Sequence, residues 1–354
     1  MPLCLRVNKT LGEIARDYIH KNDLLDTAFI ITQYDDSLLI PLKENFSEQN
    51  KKELLELIDS LKIIEDCQLT KAISKPKSHI EVLAEEFSEK ELELAPRSFD
   101  TIGDIVVIEI PEELHDKRIK IGKALLKANT SVKSVYAKTG NVEGINRIRP
   151  VEYLVGDKKT KTIYLEHGIR LAVDIKKAYF SPRLSTEHAR IAQQVNDNEV
   201  IVDLFCGIGP FAIPIIKHSD ATVHAIDINA EAINLLKENL TLNKLKGNII
   251  PYTGDCRVVA KEKKLTNIAD RIIMNLPGYA INFIDVACDV LKKEGGIIHF
   301  FRFVGGDNPE EIITQDLSRE LEKFGRKIVE VLEVKRVRMS APKQWQMVID
   351  AKVV

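Results

Sequence analysis

The spacing of hydrophobic and polar positions changes character along this chain. Residues 3–7 alternate like a short strand, residues 11–20 carry helical spacing, and 28–42 hold two β-rich runs split by the turn signal Asp35-Asp36-Ser37. Across 49–61, Leu54, Leu55, Leu57, Ile58 and Leu61 recur at helical intervals and predict one apolar face. A polar stretch over 70–78, containing Pro76, reads as a linker.

A second unit opens at Phe99 and leads into the buried strand 105–110. Pro111 then starts an amphipathic helix reaching about Lys127, with acids first and lysines last, as the helix dipole favours. Residues 132–138 read as a strand. Gly140 and Gly144 loosen the chain before hairpin-like strands over 151–180, which carry Tyr153, Ile163, Tyr164, Leu171 and Val173. From about 185 the pattern alternates strictly. Strand cores at 200–206, 223–228, 271–276 and 297–303 are separated by helices at 210–218, 230–243, 281–293 and 308–324. Strands alternating with helices imply βαβ units and a mainly parallel sheet. The last two strands, 328–338 and 345–353, meet across Ser340-Ala-Pro-Lys343 and predict a terminal antiparallel hairpin. An α/β chain of three domains follows: 1–68, 75–145 and 146–354.

Composition changes this picture little. With 354 residues, 44% hydrophobic and 29% charged, the balance is that of an ordinary globular chain. No apolar run reaches membrane-spanning length and the opening residues lack signal-peptide architecture, so a cytoplasmic protein without a membrane partner is expected. The net charge of −2 conceals a grouping: residues 116–190 contain 17 Lys/Arg against 7 Asp/Glu. A phosphate-binding face needs such grouping, although a solvated face with no partner can share it. Cys4, Cys67, Cys206, Cys256 and Cys288 are widely spaced with no C-x-x-C pair. Reduced, buried thiols are therefore expected, with no zinc site and no disulfide framework.

The densest chemical signal is Asp203-Leu-Phe-Cys-Gly-Ile-Gly-Pro-Phe-Ala212, which sets Gly207 and Gly209 at the strand-to-helix turn of the first βαβ unit. These letters also fit G-x-G-x-x-A, the dinucleotide fingerprint. Pro210 removes an N–H where a pyrophosphate would use one, and a carboxylate at Asp203 would repel that group but suits a cationic donor. Asp227-Ile228-Asn229 ends the second strand 20 residues after Gly207, where an acid can hold ribose hydroxyls. Asp255, after the next strand, is placed to accept from an adenine amino group. Each acid alone is more ordinarily a helix cap; three in order at successive strand ends resemble a class I, Rossmann-like, S-adenosylmethionine-dependent methyltransferase.

The fourth strand ends in Asn275-Leu-Pro-Gly278, where exocyclic-amine methyltransferases carry Asn-Pro-Pro-aromatic; Leu276 and Gly278 depart from that pattern. Met1-Pro-Leu-Cys-Leu5, Ile102-Gly-Asp-Ile-Val106, Tyr179-Phe-Ser-Pro-Arg-Leu184, Asp203–Phe211, Asn275-Leu-Pro277 and Arg338-Met-Ser-Ala-Pro342 together resemble the archaeal and eukaryotic tRNA (guanine-N1)-methyltransferases acting 3′ of the anticodon. The opening is most similar to the archaeal form with an extra N-terminal domain. The resemblance spans nearly the whole chain. It implies a seven-stranded mainly parallel sheet with a terminal antiparallel hairpin, preceded by two smaller α/β domains, the first a reader of tRNA shape and the second RNA-binding.

It also implies S-adenosylmethionine as cofactor, tRNA as partner, no metal, and a monomer without a protein partner. Glu187 would be the general base, Arg147 (with Arg149 a close competitor) the contact to guanine O6, and Asn275 the residue orienting the base. Arg183, Phe205 and the strand-end residues above would form the cofactor side. His188 stands where that family commonly has Arg, which leaves open the contacts such an Arg would make. The alternatives are methylation of an exocyclic amine or wyosine intermediate, an RNA-binding protein retaining the fold without turnover, and, more distantly, a nicotinamide dehydrogenase.

Overall fold

A computed structural model describes residues 3–65, 67–71, 78–140 and 147–354. Contacts divide the chain into two compact units, 1–77 and 78–354.

The first unit packs two helices on an antiparallel sheet. In chain order it runs β1 (Leu3–Asn8), α1 (Gly12–Lys21), β2 (Thr32–Tyr34), β3 (Ser37–Leu42), α2 (Glu48–Leu57) and β4 (Leu61–Ile64), with sheet order β2-β3-β1-β4. Leu5, Val7, Ile19, Ile40, Leu54 and Ile58 form its core. Helix α2 starts at a capping box, with Ser47 and Asn50 exchanging side-chain and backbone hydrogen bonds. The predicted apolar face is narrower than expected. Leu54 and Ile58, four residues apart, are buried, whereas Leu55 and Leu57 point to solvent and Leu61 already belongs to β4. The cysteine expectation is corrected for one pair. Pairing of β1 with β4 sets Cys4 opposite Ile64, and Cys67 three residues further on closes a disulfide with it, Cα–Cα 6.3 Å. Cys206, Cys256 and Cys288 are free and buried.

The second unit contains two sheets and a hairpin. Helices α3 (His79–Leu83) and α4 (Glu89–Leu94) precede β5 (Phe99–Ile102) and β6 (Ile105–Ile108). After α5 (Arg118–Ala128) come β7 (Ser134–Lys138) and β8 (Val151–Gly156), giving the order β5-β6-β7-β8. A domain ending at 145 would omit β8, which pairs with β7 and completes this sheet. The hairpin β9 (Lys161–Glu166) and β10 (Ile169–Asp174) turns through His167 and Gly168, both at positive φ, the twist that suits a two-residue connection. Ile102, Tyr136, Leu171 and Ile213 share one hydrophobic cluster, so this region and the large sheet bury apolar surface together.

The remainder follows the predicted alternation: α6 (Ser185–Gln194), β11 (Val200–Asp203), α7 (Ala212–His218), β12 (Thr222–Asp227), α8 (Ala230–Thr241) and β13 (Asn248–Thr253). Then come α9 (Cys256–Glu262), β14 (Arg271–Met274), α10 (Ile284–Val290), β15 (Gly296–Gly305), α11 (Pro309–Glu322), β16 (Ile328–Ala341) and β17 (Gln344–Val353). The sheet order is β13-β12-β11-β14-β15-β17-β16, parallel through β15, with β17 antiparallel to both β15 and β16. The chain steps outward from β11 through β12 to β13, then returns to place β14 on the other side of β11. Such a reversal opens a crevice beyond the carboxyl ends of the strands. Among the described residues no helix is long and apolar enough to cross a membrane.

Candidate functional site

That crevice holds a cavity of about 840 Å³. At its β11–β13 end the strand-end residues are fixed by their own chain. Asp227 accepts from Asn229 N (2.8 Å) and from Gly207 N (2.7 Å), which ties the second strand to the glycine turn. Asn229 caps α8 by accepting from Glu231 N, and Asp255 caps α9 by accepting from Arg257 N. Of the three acids only Asp255 is a helix cap, and there capping and a ligand-facing position coexist, because a carboxylate oxygen keeps a second lone pair after taking one N–H. Gly207, at φ +53°, has nothing nearer its absent Cβ than Tyr179 O at 4.0 Å, so a ligand can approach its backbone. Phe205 and Ile228 add apolar surface, Ile228 being an exposed hydrophobe on the rim.

Arg147, Phe205, Gly207, Asp227, Ile228 and Asn229 line the cavity, as do Asp255 and Asn275. Four predicted residues do not. Gly209 serves packing: at φ +87° its absent Cβ would stand 2.4 Å from Leu236 Cδ1. Arg183 turns to Asp100 at 2.6 Å and ties the turn before α6 to β5. Asp203 lies behind the wall, buried, its Oδ1 accepting from Phe205 N while Oδ2 has no partner. Burial, with the Asp227 charge adding to it, pushes the Asp203 carboxyl up to about 8. Asp203, expected to face a cationic donor, instead lies outside the cavity lining and ties the turn through Phe205 N.

Glu187 is the fourth. It is buried, and its two oxygens take Lys335 Nζ (2.9 Å) and Arg190 Nε (2.8 Å). Arg190 also pairs with Asp350, which His299 contacts through Nδ1 at 2.7 Å. His299 Nε2 faces Arg271 Nη1 at 2.9 Å, so the ring accepts there and donates to Asp350. Burial lowers His299, while hydrogen bonds from His299 and Arg190 overcome burial and hold Asp350 well below the usual carboxylate range.

The neighbouring His188 does line the cavity; its Nδ1 is 2.8 Å from Glu166 Oε1, and its buried Nε2 has no partner. Arg147, at φ +50°, sits in the wall with its guanidinium 6.0 Å from the Tyr279 ring centre. Arg149 is not in the wall, and its Nε is buried without a partner. Asn275 presents a buried Oδ1, also without a partner. Arg338 and Gln346 complete this side; Arg338 lies in a motif quoted for the resemblance, but no local pattern marks Gln346, which arrives by strand pairing.

The residues fit a nucleoside-bearing donor: a paired acid and amide for the ribose, an open glycine backbone, aromatic and apolar walls, and Asn275 beyond them. Comparison with known proteins agrees. A TRM5/TYW2 methyltransferase domain matches residues 162–334, a TYW2 N-terminal domain 80–160, and a tRNA methyltransferase 5 N-terminal domain 4–50. The tRNA (guanine(37)-N(1))-methyltransferase Trm5b of Methanocaldococcus jannaschii is 38% identical, covering 100% of this chain and 99% of its own. A tRNA 4-demethylwyosine(37)-methyltransferase of Saccharolobus solfataricus is 32% identical over 72% of this chain and 94% of its own. Among solved structures, a complex of aTrm5 with tRNALeu matches at 36% identity and TM-score 0.76 over 99% of both chains, and Pyrococcus abyssi Trm5b at 36% and 0.72 over 100% and 99%. The chain belongs to the Trm5 family of S-adenosylmethionine-dependent methyltransferases.

Proposed function

We propose that this protein methylates N1 of the guanosine 3′ of the anticodon in tRNA. The observation that carries this reading is one cavity with Asp227 and Asp255 at one end and Asn275 with Arg147 at the other. Full-length similarity to Trm5b enzymes supports it.

When bound, S-adenosylmethionine supplies an electrophilic methyl group on a sulfonium. Guanine N1 carries a proton, so a base must take it as the N–C bond forms and the C–S bond breaks. Negative charge then spreads to O6, where the Arg147 guanidinium stabilises it. Asn275, with its free Oδ1, orients the base edge. Glu187 accepts the proton: its two oxygens are held by Arg190 and Lys335, and the incoming base displaces the more exposed of these partners, Lys335. Base flipping delivers guanine to the site. The grouped cations of 116–190 hold the tRNA backbone, and the first unit reads tRNA shape.

A second reading gives the proton to His188, whose free Nε2 and Glu166 partner form a buried pair at the cavity. The deciding experiment is methyl transfer from radiolabelled S-adenosylmethionine to two unmodified tRNA transcripts, guanosine or adenosine 3′ of the anticodon. Label in the guanosine transcript alone, lost in Glu187→Gln and kept in His188→Asn, is expected. Loss in His188→Asn with activity kept in Glu187→Gln transfers the base role to His188. Label in both transcripts refutes N1 of this guanosine and returns an exocyclic amine elsewhere.

A further inference from the structure

Four strands carry one connected row across the carboxyl edge of the sheet. Asn275 follows β14, and the carbonyl of Pro277, two residues on, accepts from Phe303 N in β15 at 3.1 Å. Phe303 stands opposite Gln346 in β17, and Gln346 opposite Arg338 in β16. All five residues line the cavity. Gln346 is 1% exposed and takes the Arg338 Nε–H at 2.7 Å, which fixes the plane of the guanidinium.

Two nearby arginines are neutralised. Arg257, also in the cavity wall, is held by both oxygens of Asp285. Arg336, two residues from Arg338, is held by both oxygens of Glu310. Among the described residues Arg338 has no carboxylate partner, and its two terminal nitrogens make no hydrogen bond. A half-buried, oriented guanidinium with both terminal N–H groups open matches the fork geometry that binds phosphate bidentately. The acids that would repel such a ligand, Asp227 and Asp255, follow strands on the other side of β14.

Distance settles which part of a nucleotide reaches it. Three strand spacings of about 4.8 Å separate β14 from β16, roughly 14 Å in all. A base at Asn275 is too short to cross that gap; base, ribose and phosphate together, met by an extended arginine, span it. Resting on the reading that the substrate is an RNA nucleotide, we infer that Arg338, oriented by Gln346, grips a backbone phosphate flanking the target base. The flipped nucleotide is then held at two points, its base edge at Asn275 and its phosphate at Arg338.

The test measures tRNA affinity of the full-length protein across a salt series, with calorimetric affinity for S-adenosylmethionine and a melting curve as controls. Arg338→Ala is expected to weaken tRNA binding on the order of 10-fold and to flatten the plot of log affinity against log salt by about one unit, leaving donor affinity unchanged. Arg338→Lys restores the salt slope and the melting curve but only part of the affinity, since the charge returns without the fork. Gln346→Met keeps the slope and lowers turnover, because the cation remains but is no longer oriented.

A neutral methylphosphonate at one phosphate flanking the target nucleotide weakens wild-type binding and leaves Arg338→Ala unaffected. An unchanged salt slope with relaxed discrimination between guanosine and inosine at the target would overturn the inference in favour of base reading. Arg338→Ala matching wild type throughout would refute any substrate contact. If wild type itself does not bind tRNA, the substrate reading fails first, and the Arg338 assignment fails with it.

Discussion

At the β11–β13 end of the cavity four polar side chains share a local anchor, a backbone N–H two residues on in sequence. Asp203 takes the N–H of Phe205, Asp227 that of Asn229, Asn229 that of Glu231, and Asp255 that of Arg257. At the β14–β16 end several anchors are remote. Glu187 is held by Lys335 across 148 residues, Arg190 by Asp350 across 160, and His188 by Glu166 across 22. The first end is a series of local turns that strand ends adopt readily. The second exists only once the sheet is assembled, so it is both the more specific half and the more exposed to distant substitutions.

The contrast can be broken most sharply at Glu187. Glu187→Gln keeps the shape but removes the proposed proton acceptor, and turnover is expected to fall on the order of 10²–10⁴-fold with donor affinity unchanged. Single-turnover methyl transfer measures this, and a fall confined to donor affinity would refute the two-ended division. Asp227→Ala attacks the other end. Losing the hydrogen bonds to Gly207 N and Asn229 N, each worth about 1.5–3 kcal/mol to a charged acceptor, should weaken donor binding at least on the order of 10-fold. The KM for tRNA should stay as it is; calorimetry and steady-state kinetics separate the two.

His188→Arg is a milder probe. It alters a cavity-wall side chain while Glu187 and Asn275 remain, so affinity should change and turnover persist; complete loss of activity would contradict this. The smallest effect concerns Asp203. Its folded pKa, raised to about 8, lies above the unfolded value near 3.8, so the folded state binds the extra proton. Its contribution to stability is full below about pH 4 and is lost as pH rises through about 8. Asp203→Asn should therefore flatten the decline in melting temperature over that window, and an unaltered slope would show the carboxyl to be ionised.

The sequence made the β/α alternation, the glycine turn and the ordered acids legible because they rest on period, turn chemistry and i→i+2 hydrogen bonds. It did not distinguish Gly207, open to a ligand, from Gly209, closed against Leu236, since both appear only as glycine in a loop. It suggested Arg183, Asp203 and Glu187 as cavity residues, yet their side chains turn to Asp100, Phe205 N, and Arg190 with Lys335. Whether a strand-end or helix-start side chain faces ligand or protein depends on which partner the packing brings within about 3 Å, and that partner can be any residue.

What the sequence alone determined is therefore the class of fold, the β11–β13 end of the cavity and the chemistry available to it. The tertiary structure decided the Cys4–Cys67 disulfide, the recruitment of β8 to the smaller sheet, and the row from Asn275 to Arg338. The physical reason is range: local hydrogen bonds and hydrophobic period are written in neighbouring residues, whereas strand pairing chooses partners across the whole chain.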